Sequence, residues 1–171
     1  MKNLTDRLRK IELVIFDVDG VLTDDTIFIG QNGAEFKRFN IADGLGIFIA
    51  KKYGLKIAFS SGRQSSATQA RAKELGIIDI HQGTADKIDF YNQLKSKYNL
   101  DDENIAFVGN DLTDVNVMRQ CGLAFTVPVS PSIVLKSADF ITKKSGGAGV
   151  AREVLDMILD ARGIDEEKRL P

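Results

Sequence analysis

Short, almost wholly apolar runs recur along the chain, separated by longer stretches in which apolar residues return every three or four positions. The runs are 11–16, 55–59, 77–80, 105–108 and 123–127, with a weaker sixth at 139–142. Each has strand length and is apolar on both faces, as expected of strands covered from both sides. Between them, 43–53, 65–75, 85–98 and 112–120 have helical periodicity, and 149–159 forms a last helix. Gly54, Gly76 and Gly122 stand where helices need to end. Strand and helix in alternation predict an α/β fold, a doubly wound, Rossmann-like parallel sheet with right-handed crossovers.

One segment breaks the alternation. Residues 26–30 and 34–39 are short strand-like runs joined by Gln31-Asn32-Gly33, and Asn-Gly is the strongest short hairpin signal. Ile27, Phe28, Ile29, Phe36 and Phe39 make this ribbon too apolar to stand free, and a lone hairpin is marginal in water. The ribbon is therefore expected to pack on something, a neighbouring subunit or the chain's own domain. No repeat or linker divides the rest, so one domain over 1–171 is expected, with the hairpin at about 25–40 and a C-terminal tail at about 163–171.

Composition narrows the function classes. Among 171 residues, 43% are hydrophobic and 27% charged, the balance of a globular protein. With 23 Lys and Arg against 24 Asp and Glu, no single-sign field recommends nucleic acid or an anionic membrane as partner. No apolar run approaches the roughly 18 residues of a membrane span, and the opening Met-Lys-Asn-Leu-Thr-Asp-Arg lacks the apolar core of a secretion signal. A single cysteine, Cys121, points to a reducing cytoplasm. Cys121 and the single His81 have no partner motif and are read as structural.

The polar residues fall where the chemistry of such a sheet belongs, at the carboxyl ends of the strands. The first strand runs into Asp17-Val18-Asp19-Gly20-Val21-Leu22-Thr23-Asp24, the second into Ser60-Ser61-Gly62-Arg63, and the fourth into Gly109-Asn110-Asp111-Leu112-Thr113-Asp114. Lys87 opens the helix after the third. Carboxylate and carbonyl oxygens without soft ligands suit Mg²⁺. Such a kit serves phosphoryl transfer: the metal and Lys87 neutralise phosphate oxygens so that an anionic carboxylate can approach. Asp17 and Asp19, two apart in a turn, can share the work of nucleophile and proton carrier.

The sequence Asp17-Val18-Asp19-Gly20-Val21, Ser61, Lys87 and the 109–114 stretch, in that order and spacing, resembles the haloacid dehalogenase-like phosphatases. The resemblance implies that Asp17 is nucleophile and metal ligand, and that Asp19 is acid/base and ligates through its carbonyl. It further implies that Ser61, Gly62, Arg63 and Lys87 bind phosphate and substrate. The 109–114 loop would complete the metal site. Many members carry Gly-Asp-Asp where this chain has Gly109-Asn110-Asp111, so either Asn110 or Asp111 would be the ligand, with Asp114 orienting the others.

Almost the whole chain, including the hairpin, 40–47 and 145–153, is similar to the compact branch without a cap domain. That branch includes 3-deoxy-D-manno-octulosonate 8-phosphate phosphatase of lipopolysaccharide assembly, phosphatases of nine-carbon keto-acid sugar 9-phosphates, and a non-catalytic assembly domain appended to sialic-acid cytidylyltransferases. The resemblance implies a homo-oligomer, a tetramer in the octulosonate enzymes. The intact Asp17, Asp19, Ser61 and Lys87 favour an enzyme over an assembly module. Arg63, whose fork can grip a carboxylate, favours the octulosonate reading. Gly146, Gly147 and Gly149 suit either a helix-entry loop or a loop lining the site.

Overall fold

The computed structural model describes residues 4–170; Met1–Asn3 and Pro171, the end of the expected tail, lie outside the described residues. A six-stranded, all-parallel sheet forms the centre. In chain order its strands are β1 (Leu13–Asp17), β4 (Lys56–Ser61), β5 (Asp79–Gln82), β6 (Ile105–Gly109), β7 (Leu123–Thr126) and β8 (Phe140–Ile141). They lie side by side as β5-β4-β1-β6-β7-β8. The chain thus winds outward from β1 in both directions, and β1 pairs with β4 and with β6 in the same register.

The period-two alternation of β1 explains the layers. Val14 and Phe16 enter one apolar cluster, shared with Leu8 of α1 (Leu4–Lys10), Ala50 of α2 (Ile41–Lys52), Ala72 of α3 (Ser66–Glu74) and Leu155 of α7 (Val150–Ala161). Leu13 and Ile15 enter the other, with Tyr91 and Leu94 of α4 (Ile88–Tyr98), Met118 of α5 (Val115–Gln120) and Val134 of α6 (Ser132–Ser137). Each fully buried phenylalanine, Phe16 and Phe107 among them, stabilises the fold by about 1.5–3 kcal/mol relative to exposure.

Several expectations shift in detail. α1 and α6 are elements that the periodicity does not announce. The third strand lies two residues later than its apolar run: Ile77 closes the turn after α3, Ile78 is 80% exposed, and pairing begins at Asp79. Residues 112–114 form a tight turn before α5 begins. Gly54 and Gly76 end helices with left-handed backbone, but Gly122 does not. It is required by packing, since a Cβ there would sit 2.4 Å from the Asp102 carbonyl oxygen.

The hairpin forms as β2 (Phe28–Ile29) and β3 (Glu35–Phe36), shorter than expected. Asn32 (φ 60°) and Gly33 (φ 76°) supply the positive angles that an Asn-Gly turn needs. Phe28 pairs with Phe36 across the ribbon and both residues are about 60% exposed, while Phe39 packs against the core. After α7 the tail folds back: the buried Arg169 donates to Asp156 and to the Ile164 carbonyl. No helix among the described residues is long and apolar enough to cross a membrane.

Candidate active site

The carboxyl ends of β1, β4 and β6 meet at one rim. β1 carries Asp17 to its last position, opposite Ser60 of β4, and the chain then turns sharply through Val18–Leu22. Gly20 (φ 88°) allows the turn, and a Cβ there would fall 2.0 Å from the Asn110 amide nitrogen. Thr23, fully buried, braces the loop: its hydroxyl donates to the Val18 carbonyl and accepts from the Gly20 amide. The 145–149 loop closes over it, and Gly146 admits no side chain, since a Cβ would lie 2.1 Å from the Gly20 carbonyl oxygen. Gly146 also helps line a cavity of about 290 Å³ that opens beside Gly20 and Asn110, with Asp24, Val127 and Ser145. Gly149 immediately precedes α7.

Lys87, immediately before α4, is 3% exposed, and its Nζ lies 2.6 Å from Asp17 Oδ1 and 2.6 Å from Asp114 Oδ1. Asp114, fully buried, accepts the main-chain N–H groups of Asn110 and Asp111 on its other oxygen, so it ties the lysine to the β6 loop. Burial pushes the Asp17 carboxyl up to about 7, with the Lys87 ammonium opposing and Asp114 adding to the rise. Burial would lower the Lys87 ammonium, but the Asp17 and Asp114 charges outweigh it and hold it above its usual value.

The Asn110 side chain faces this cluster. The inner atom of its amide lies 2.9 Å from Asp17 Oδ2 and 2.9 Å from the Asp19 carbonyl oxygen. With nitrogen inward the amide donates to both; with oxygen inward, three oxygens converge with no proton between them. Ligands at 2.0–2.1 Å on adjacent vertices of an octahedron lie about 2.9 Å apart, so the second orientation is a fitting face for Mg²⁺. Among the described residues no three His, Cys, Asp or Glu side chains gather as a metal site; this face instead uses one carboxylate, one carbonyl and one amide. Asp111 is not brought to it. Its carboxylate accepts the Leu112 amide at 2.7 Å and starts the turn before α5.

The remaining expected residues surround Asp19. Ser61, 1% exposed, has its Oγ 3.3 Å from Asp19 Oδ2 and accepts the Arg63 amide. Gly62 faces the 84–85 segment that leads to Lys87. Arg63 turns instead to the hairpin, donating to Glu35 at 2.7 Å with its side chain half exposed. Glu35 also accepts the Ser65 hydroxyl at 2.6 Å; this bond holds its carboxyl below the usual range, with burial opposing and Arg63 adding. Two hairpin residues that the sequence reading passed over thus reach the site: Glu35 and Lys37, whose Nζ lies 2.6 Å from Asp19 Oδ1. Their signal was the alternation of Glu35 and Lys37 with Phe36, one polar face and one apolar. His81 stacks on Phe90 at 5.1 Å, and burial pushes the Cys121 thiol up to about 12.

The chain is similar to several known proteins. Residues 72–154 match the model of the haloacid dehalogenase-like hydrolase family. The 3-deoxy-D-manno-octulosonate 8-phosphate phosphatase of Salmonella typhi is 39% identical over 163 residues, 95% of this chain and 87% of that protein. The crystal structure of the Yersinia pestis phosphatase of the same name superposes with a TM-score of 0.92 at 37% identity, covering 95% of this chain and 88% of the other. The Moraxella catarrhalis phosphatase of that name, in complex with a magnesium ion, a phosphate ion and a KDO molecule, superposes with a TM-score of 0.93 at 36% identity, covering 98% and 96%.

Proposed function

The chain belongs to the haloacid dehalogenase-like hydrolases, among the 3-deoxy-D-manno-octulosonate 8-phosphate phosphatases, and on that premise we propose that it hydrolyses this sugar-acid phosphate to the free sugar acid and inorganic phosphate. The observation that carries the reading is the Lys87 ammonium bridging Asp17 and Asp114 beside the oxygen face of Asp17, Asp19 and Asn110. Asp17 is the nucleophile: one carboxylate oxygen bonds to phosphorus as the bond from phosphorus to the sugar oxygen breaks. Asp19 hands a proton to the leaving oxygen. It then takes one from the water that cleaves the aspartyl-phosphate, releasing phosphate and restoring Asp17. Lys87 and Ser61 hold the phosphate oxygens, and Arg63, paired with Glu35 in the free protein, would offer its fork to the carboxylate of the sugar acid. Mg²⁺ would be held by Asp17 Oδ2, the Asp19 carbonyl and Asn110 Oδ1, and when bound it supplies charge that offsets the phosphate's own.

Phosphate release across a panel of sugar phosphates tests the reading. The octulosonate 8-phosphate is expected to have the highest kcat/KM; a nine-carbon keto-acid 9-phosphate at the top would reassign the substrate, and no turnover of any ester would remove the enzyme reading. Activity should vanish with a chelator and return with Mg²⁺ without a zinc requirement. Asn110→Ala should raise the Mg²⁺ needed for half activity by about tenfold or more, whereas Asp111→Ala should leave it nearly unchanged. The reverse order would move the ligand to Asp111.

We further infer a closed homo-oligomer, most simply a tetramer, in a reducing cytoplasm that suits a single unpaired cysteine. Support for assembly comes from the ribbon. Ile27, Phe28, Ile29 and Phe36 present their apolar faces to solvent, while the polar rung of Glu35 and Lys37 seats on the chain's own domain. Replacing Ile27 and Phe28 with glutamate should dissociate the assembly and lower activity with Asp17 untouched. A fully active monomer of the parent protein in light scattering would end this inference.

A further inference from the structure

A lysine on a short hairpin ordinarily runs its stem along the surface and leaves the ammonium in water. Lys37 does the opposite. Its side chain is wholly buried, with Nζ at 2.6 Å from Asp19 Oδ1, 3.4 Å from Thr68 Oγ1 and 3.8 Å from Glu35 Oε1. Taking an ammonium out of water costs several kcal/mol unless it is well paired, so a fold that encloses this one has a specific partner for it. Thr68, itself fully buried on α3, accepts weakly, and Glu35 is already engaged by Arg63 and Ser65. Asp19 is the short, charge-assisted contact.

The contact fixes more than a distance. Asp19 Oδ1 is held by the hairpin, and Oδ2 points to Ser61 Oγ at 3.3 Å. A carboxylate tied at both oxygens has its rotamer set, and the oxygen left toward Ser61 is the one on the phosphate side of the site. Proton transfer to a leaving oxygen depends first on that placement.

We propose that Lys37 is a positioning residue for proton transfer: through Asp19 Oδ1 it sets the direction of the Asp19 carboxylate, so that delivery of a proton to the departing sugar oxygen depends on the hairpin being seated. This rests on the phosphatase reading above. It predicts a dependence on the leaving group. A sugar alkoxide needs a proton to depart, whereas p-nitrophenolate leaves as a stable anion.

The test measures kcat/KM, which reports the steps through transfer to Asp17, for the parent, Lys37→Met and Lys37→Gln on octulosonate 8-phosphate and on p-nitrophenyl phosphate. Lys37→Met should lose about 10- to 100-fold on the sugar phosphate, up to the lower end of the roughly 10²- to 10⁴-fold that general acid catalysis contributes in full, and about threefold or less on the aryl phosphate. Lys37→Gln, which retains a donor toward Asp19, should lose less on the sugar phosphate. It carries the same comparison should Lys37→Met melt below the assay temperature. Equal losses on both esters overturn the proposal, because loosened folding or lost phosphate binding would not distinguish leaving groups. Unchanged rates on both overturn it as well. A parent protein that hydrolyses neither ester defeats the phosphatase reading itself, and this inference with it.

Discussion

Asp17→Asn protein will fold and melt as the parent does, within about 4 °C, yet release no phosphate, a loss of about 10⁴-fold or more. The two halves of this result have separate causes. The amide keeps the size of the carboxylate at the end of β1, and its oxygen can still accept from Lys87, whose charge remains paired with Asp114 at 2.6 Å. Burial already pushes the Asp17 carboxyl up to about 7, so removing its charge relieves a desolvation cost and does not weaken the core. On the proposed reading what disappears is the nucleophile, and electrostatic help from the surroundings cannot replace a missing nucleophile. Phosphate release together with a circular-dichroism melt decides the matter. Near-parental turnover in the folded variant would falsify the assignment.

Lys87→Met should be the most destabilising single change at the site. It removes the one cation between two buried carboxylates while preserving the length of the side chain. Breaking a buried pair from one side typically costs about 3–5 kcal/mol, here a fall in melting temperature of roughly 10 °C. The deficit should also depend on pH. A carboxyl whose pKa is higher folded than unfolded favours the fold at low pH and withdraws that stability as pH rises through the folded value. Asp17 stands raised even with Lys87 opposing the rise, and without the lysine it stands higher. Urea unfolding without added metal should therefore show a larger gap between variant and parent at pH 8 than at pH 5. Turnover should fall by at least about 10²-fold, the scale of losing one charged stabilising group. Superimposable unfolding curves at pH 8 would deny Lys87 its counter-ion role.

Much of this arrangement is legible in the sequence, because a parallel sheet sends every strand's carboxyl end to the same rim. Reading Asp17, Ser61 and Asn110 at the ends of apolar runs was enough to bring them together. The misreadings have local causes. β5, at one edge of the sheet, carries Asp79, His81 and Gln82 around a single Ile80, so its pairing begins two residues after the apolar run does. At seven and six residues, α1 and α6 are too short for a period of 3.6 to declare itself. Lys37 was missed for a different reason. The ribbon was read for its apolar face, and nothing in a two-residue alternation says that the opposite face will meet a loop 18 positions earlier in the chain. That the Asp111 carboxylate turns onto the next amide was likewise beyond the sequence, which is why Asn110 and Asp111 could not be told apart there.

The strand order also bears on how the protein is made. β1 sits at the middle of the sheet although it is the first of the six strands in chain order, and both its neighbours come later in the chain. β4 ends at Ser61 and β6 at Gly109. At ribosomal speeds of about 5–20 residues per second, β1 waits roughly 5–20 seconds for its second edge to be covered. Throughout that interval Val14, Ile15 and Phe16, all buried in the finished molecule, form part of an open, strongly β-prone edge on the nascent chain. The strand that ends in Asp17 is thus, among the strands with a neighbour on each side, the one whose second edge stays open longest during translation.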